Sequence, residues 1–143
     1  MVVDIDDVNV AVYTILAADS TLTSMLGSVT SIYDGLAPDG AAYPVVVFGQ
    51  PYPLTSTDKQ VMTGSYVTIY KVDVKAIAGG TDSGGVAGRI SKRVHEILEN
   101  ANLPLPQGST FYCRRSGDFS YPEEVDNTRF SHVGGTYQIE VAP

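Results

Sequence analysis

The sequence has a single cysteine, Cys113, in 143 residues. That excludes an internal disulfide and any zinc site built on several thiolates, and fits a reducing compartment better than a secreted scaffold. Lys and Arg are missing from residues 1–58, where seven acids stand (Asp4, Asp6, Asp7, Asp19, Asp34, Asp39 and Asp58). Residues 59–143 hold nine acids and nine bases, so the net charge of −7 belongs entirely to the first two-fifths of the chain. Affinity for nucleic acid comes mostly from cations that neutralise phosphates, and this balance disfavours DNA binding. No apolar run approaches the roughly 18 residues that a membrane span needs. Met1-Val2-Val3-Asp4 also carries no basic segment ahead of an apolar stretch. The expectation is a soluble, unprocessed protein with no membrane partner.

What is present suits one globular domain over residues 1–143: 43% of residues are hydrophobic and 17% charged. A chain of this length buries about two-thirds of its unfolded surface and folds without a disulfide or metal staple. Ile5, Val8, Val12, Ile15 and Leu16 recur at helical spacing and predict a helix over Asp4–Ala18. Asp4, Asp6 and Asp7 at its start suit the positive end of the helix dipole. They fail as a calcium loop, because the turn glycine would fall at Asn9 and the bidentate Glu at Ile15. Asp19-Ser20 caps a short second helix, Thr21–Leu26, that Gly27 ends.

Residues 30–50 read as two strands around the turn-rich link Asp34–Gly40; the second, Tyr43–Gly49, is apolar on both faces at Val45-Val46-Val47-Phe48. A long loop follows at about 50–65. Alternation from Tyr66 to Ala76 predicts a strand with one core face and one wet face, ended by Gly79-Gly80. Asp82 or Ser83 then caps a helix with the stripe Val86, Ile90, Val94, Ile97 and Leu98, running to about Asn100. A strand at Thr110–Arg115, a loop at 116–127 and a last strand Thr128–Val141, bulged at Gly134-Gly135, complete the reading. The fold class expected is α+β: a mostly antiparallel β-sheet with two main helices packed on one face.

Catalytic leads fail one by one. Asp82-Ser83-Gly84-Gly85 resembles a serine-protease nucleophile signature, but both histidines, His95 and His132, follow the serine, and the chain is too short for a double barrel. Read as a phosphate cradle, the stretch lacks the Lys and Ser or Thr of a Walker A loop, and its glycines miss the dinucleotide spacing. His95 and His132 have no spacing that joins them to further ligands, Cys113 has no histidine beside it in sequence, and Glu123-Glu124 point apart on any regular element. No enzyme activity, metal or cofactor is expected. Arg89, Lys92 and Arg93 share a helix side and Arg114-Arg115 charge a strand. They form either a solvated face balanced by Glu96 and Glu99, or a contact for an acidic patch such as residues 1–58 of a neighbouring copy.

Leu16-Ala17-Ala18-Asp19-Ser20-Thr21-Leu22-Thr23-Ser24-Met25-Leu26-Gly27, followed by Ile32-Tyr33-Asp34-Gly35-Leu36-Ala37-Pro38-Asp39-Gly40-Ala41-Ala42-Tyr43-Pro44-Val45-Val46-Val47-Phe48-Gly49, resembles the small tail completion (tail terminator) proteins of long-tailed bacteriophages and prophages. The likeness continues more weakly through the strand Tyr66–Ala78, the Gly-led helix, and Asp126-Asn127-Thr128-Arg129 entering the last strand. It departs at residues 54–65 and 116–127. The resemblance implies a structural protein that forms a ring, often a hexamer, on the head-proximal end of the tail tube. There it would stop tube polymerisation and provide the head-joining surface. The implied partners are its own copies, the tail tube protein and a head-side neck or stopper protein, with DNA passing the lumen unbound. The implied location is the virion, after synthesis in the bacterial host cytoplasm. Candidate contacts are Asp58, Lys59 and Gln60 in one loop, Asp118, Glu123 and Asp126 in the other, with Arg129 and the bases named above. A related neck, head–tail connector or tail-tube component is the alternative.

Overall fold

The computed structural model describes residues 5–28, 31–49, 52–53 and 68–142. The first apolar stripe forms α1 (Ile5–Ala17), which buries Val8, Ala11, Val12 and Leu16 and keeps Asp6 and Asp7 in its first turn. α2 (Ser20–Met25) begins where Asp19 Oδ1 accepts the Leu22 amide at 2.7 Å, the side-chain cap expected from the sequence. Gly27 ends this segment by allowing close approach: a Cβ there would sit 2.5 Å from the Ala42 carbonyl oxygen.

Strands β1 (Ile32–Asp34), β2 (Val45–Phe48), β3 (Tyr52–Pro53), β4 (Thr68–Gly79), β5 (Ser109–Val125) and β6 (Thr128–Ala142) build one sheet, with the 16-residue helix α3 (Ser83–Leu98) between β4 and β5. The spatial order is β1-β2-β4-β6-β5, and β3 also pairs with β4. Pairing is antiparallel throughout except between β1 and β2. The fold is α+β, as the sequence predicts.

All three helices pack on one face. Their side chains meet Val46, Phe48, Tyr70, Val72, Val74, Ala76, Tyr137, Ile139 and Val141 in the main core. Each fully buried Val, Leu or Ile contributes about 1.5–3 kcal/mol relative to an exposed one. The far face is wet at Lys71, Asp73 and Lys75, but Val45, Val47 and Ile77 form a second small core there with Tyr33, Ala37, Ala41 and Phe130. That second core explains why Val45–Phe48 is buried on every residue. β4 ends at Gly79, and Gly80 takes φ +98° where the chain turns toward α3. α3 stops with Asn100 in the left-handed region, φ 59°, its amide donating to the Cys113 carbonyl at 2.7 Å.

Two expectations are corrected. The segment 116–127 is not a loop: β5 runs unbroken to Val125, and Asp126-Asn127 alone turn it into β6, with φ of 50° and 63°. Gly, Ser, Asp and Pro in that stretch mimic a loop, yet an edge strand tolerates Pro122, which here costs no interior hydrogen bond. Asn and Asp accept the positive φ that a tight hairpin turn imposes. Nor do Gly134-Gly135 form a bulge. β6 keeps register with β4 through both, and the irregularities lie in β5, at Thr110/Tyr112 and Arg115/Gly117. The glycines answer to contact: a Cβ on Gly134 would overlap the Val74 carbonyl oxygen, and one on Gly135 would lie 2.5 Å from Arg115 Nε. Among the described residues no helix is long and apolar enough to cross a membrane.

Candidate assembly interface

The β5–β6 hairpin is the most exposed part of the described fold. From Ser120 to Arg129 every residue is exposed. The pairs Glu123–Phe130, Glu124–Arg129 and Val125–Thr128 extend to the end of β4, whose last pair is Gly79–Phe130, and beyond it. Glu124 and Asp126 stand on this arm, whose backbone is ordered by its own ladder rather than by a core. Arg129 faces Glu124 across the ladder, and with Pro122 and Glu123 the two line a shallow hollow. The expected contacts Asp118, Glu123, Asp126 and Arg129 are thus gathered on one hairpin; Asp58, Lys59 and Gln60 lie outside the described residues.

The expected basic contacts divide. Arg93 reaches across to α2, with Nη2 donating to Asp19 Oδ2 at 2.6 Å and Nε to Oδ1 at 3.1 Å. This bidentate hydrogen bond, opposed by desolvation and aided by the Leu22 amide, holds the Asp19 carboxyl below its ordinary pKa. Asp19 thereby caps α2 and ties it to α3. Arg115 lies under α3: Nε and Nη2 donate to the Tyr137 hydroxyl at 3.1 and 2.8 Å, Nη2 also to Ser91 Oγ at 3.4 Å, and Nη1 to Asp118 at 3.2 Å. Glu99 accepts the Arg115 amide at 3.2 Å and approaches His95 Nδ1 at 3.4 Å. Arg89 pairs with Asp82 at 3.5 Å in full solvent, so that Asp82 occupies the cap position of α3 without a capping side-chain bond. Lys92 is exposed, and exposed Arg114 lies 4.2 Å over the Tyr112 ring. Lys92 and Arg114 are the members of this basic set with no carboxylate partner among the described residues.

Groups with catalytic potential are engaged elsewhere. Ser83 is buried, its hydroxyl 2.7 Å from Ser131 Oγ. Cys113 is fully buried, and burial pushes its thiol up to about 12, with Glu99 adding to the shift. Such a thiol stays protonated and unreactive at neutral pH. The Tyr137 hydroxyl is likewise raised to about 12 by burial, against the Arg115 charge and hydrogen bond. Among the described residues no three His, Cys, Asp or Glu side chains gather as metal ligands.

His132 is the residue that sequence reasoning underrates. Its Nε2 lies 3.0 Å from Glu123 Oε1, and its ring stacks on Tyr121 at 4.5 Å and 11°. Tyr121 in turn accepts a hydrogen bond from Lys75 at 2.9 Å. The signal available was strand alternation: His132 follows Phe130 by two, and so shares its face.

A family model described as "Tail completion protein gp17" matches residues 10–139. Among solved structures, a chain from the "Virion of native gene transfer agent (GTA) particle" is similar with a TM-score of 0.73 and 21% identity, covering 94% of this chain and 93% of that one. A second solved chain is similar at a TM-score of 0.57 and 9% identity, covering 95% of this chain and 94% of its own. No curated protein matches significantly. At these identities the structural likenesses establish the fold, and it is the family match, spanning most of the sequence, that decides membership: the chain belongs to the tail completion protein gp17 family.

Proposed function

We propose that this chain completes a phage-type tail by forming a ring, hexameric in the assembled particle, on the head-proximal end of the tail tube. There it halts tube polymerisation and provides the surface on which the head docks. Its place is in the virion after synthesis in the bacterial host cytoplasm, and its role is structural rather than enzymatic. The observation that carries this reading, beside family membership, is the β5–β6 hairpin. It is a two-stranded arm whose outer residues, Glu124 and Asp126 among them, are exposed at its tip. Such an arm suits contact with a tail tube protein on one side or a head-side neck protein on the other.

Charge along the sheet supports the ring. The stretch without bases builds α1, α2, β1 and β2 at one edge, whereas all nine bases occur from residue 59 onward and those placed lie on β4, α3, β5 and β6. A ring needs a heterologous contact between two different patches, and flanks of unlike charge character provide such a pair. The acidic balance also favours a lumen that passes DNA without holding it. Strong, salt-sensitive DNA binding by the assembled ring would refute the last point.

Electron microscopy of lysates from a phage or prophage lacking this gene tests the whole reading. DNA-filled heads beside unattached tails of abnormal length are expected. Tails of normal length that fail to join would move the protein to the neck, and intact infectious particles would overturn a role in tail completion.

A further inference from the structure

β5 forms one edge of the sheet, and its outer side has two parts. In an antiparallel strand the N–H and C=O of one residue point the same way, and successive residues alternate between the partner strand and the open side. Near the start of β5 the outward residues are Cys113, whose carbonyl accepts the Asn100 amide at 2.7 Å, and Arg115, whose amide donates to Glu99 Oε2 at 3.2 Å. Glu99 and Asn100, just past α3, cover that stretch.

Beyond the irregularity at Arg115/Gly117 the alternation follows from β6. The Arg129 carbonyl accepts the Gly80 amide on the β4 side, so odd-numbered residues of β6 turn their backbone to β4 and even-numbered ones to β5. Phe119, Tyr121 and Glu123 pair with Gly134, His132 and Phe130 and face inward. Asp118, Ser120, Pro122 and Glu124 therefore point their backbone groups outward, and among the described residues no strand or side chain pairs with them. All four offer a carbonyl and all but Pro122 an N–H, in a row about 20 Å long at a spacing that an extended backbone matches.

Side chains specify the strand that fits. Asp118, Ser120, Pro122 and Glu124 share one face of this edge, all exposed, with an acid at each end. The other face presents Phe119, with Tyr121 and Val125 at 42% and 46% exposure. A strand laid alongside meets acids on one face and aromatic or apolar surface on the other, and opposite charges and aromatic pairs are favourable across strands. A second β5 fits badly: antiparallel pairing centred on the row sets Asp118 opposite Glu124, acid against acid, and such a self-complementary contact stops at a dimer. Pro122 and the acids thus guard the edge against its own kind and leave it open to a basic strand.

We propose that the outer edge of β5, from Asp118 to Glu124, takes up a strand of another protein at the head–tail joint: an extended segment of about seven residues that alternates basic with apolar side chains. Main-chain hydrogen bonds provide the affinity, and the acids with Phe119 and Tyr121 select the sequence. The inference rests on the tail completion reading and gives the hairpin its mode of docking.

Hydrogen exchange read by mass spectrometry tests it on the full-length protein, first assembled alone, then on purified tail tubes, then in joined particles. The amides of Asp118, Ser120 and Glu124 should gain protection on tubes or on joining, and the step at which they do so identifies the side that supplies the strand. Ser120→Pro removes one outward N–H and leaves the β5–β6 ladder in place; it should melt close to wild type and, in a deletion strain, yield about tenfold fewer joined particles. Ser120→Ala keeps the N–H and should join as wild type does. If Ser120→Pro fails to fold, exchange in the wild type decides alone. Unchanged exchange at these amides in joined particles would overturn strand addition and leave tail completion standing, as would full joining by Ser120→Pro. Protection already present in the protein assembled alone would also overturn it, by giving the edge to a second copy. Absence of the protein from joined particles would remove the tail completion reading and this inference together.

Discussion

The Tyr137 hydroxyl accepts two hydrogen bonds from one guanidinium, from Arg115 Nη2 at 2.8 Å and Nε at 3.1 Å, beneath α3. The pair joins β5 to β6 where β5 has just bulged at Arg115/Gly117. Tyr137→Phe deletes the acceptor and leaves part of a charged group unsatisfied. The expected loss is about 1.5–3 kcal/mol, read by denaturant titration. An unchanged midpoint would show that water replaces the phenol.

Alkaline pH should loosen the same region. Burial raises Tyr137 from an ordinary value near 10, and Cys113 from near 9, to about 12 each. Their contribution is complete below the unfolded pKa values and is lost as pH rises through the folded ones, since the unfolded chain releases these protons first. Stability should therefore fall between about pH 9 and 12, and Cys113→Ala should flatten the lower part of that fall. A melting temperature constant to pH 11 would contradict this.

Asp19 gives the opposite limb. Its carboxyl is held low, chiefly by the Arg93 hydrogen bond, so its contribution is present above the unfolded value near 3.9 and disappears as pH falls through the lowered one. Asp19→Ala removes the α2 cap as well as the tie to α3. The cap alone is worth about 1 kcal/mol, or roughly 2–4 °C in a domain of this size. The variant should lose the wild type's acid dependence in that window, measured by thermal melts from pH 5 to 2.

Gly134→Ala should be among the most damaging single-methyl changes in the chain. The new Cβ would overlap the Val74 carbonyl and stand 2.6 Å from the Lys75 Cα, so central backbone has to move. A loss of about 3 kcal/mol or more is expected for such overpacking. Gly117→Ala is the control: no atom lies within 4 Å of its Cβ position, and its melt should be close to wild type.

Charge reversal on the hairpin separates function from fold. Glu124→Lys sets a like charge opposite Arg129 and Asp126→Lys gives up a residue suited to φ 50°, so each should cost about 1 kcal/mol, less than it takes to unfold a domain. Supplied to a deletion strain, they should yield folded protein yet few joined particles. Full complementation would exclude the arm tip as the docking element.

The sequence by itself determined the elements whose periodicity is long and whose ends are marked. α1 and α3 follow from apolar stripes with 3.6-residue spacing, β4 from alternation, and the Asp19 cap from one short side chain before a helix. Family membership was legible too, as the resemblance carried by residues 16–27 and 32–49, and the family match over residues 10–139 bears it out. Tertiary structure decided what depends on neighbours distant in sequence. Residues 116–125 carry loop-forming composition and become strand because β6 supplies a complete ladder. Gly134 is small because the β4 backbone at Val74 and Lys75 lies against it in the sheet, and Arg93 and Arg115 are internal ties because Asp19 and Tyr137 lie 74 and 22 residues away. His132 acquires its stacked ring and its carboxylate only when β4, β5 and β6 lie side by side. Local patterning fixes backbone conformation over a few turns, whereas contacts of long sequence separation assign each charged or aromatic side chain its partner.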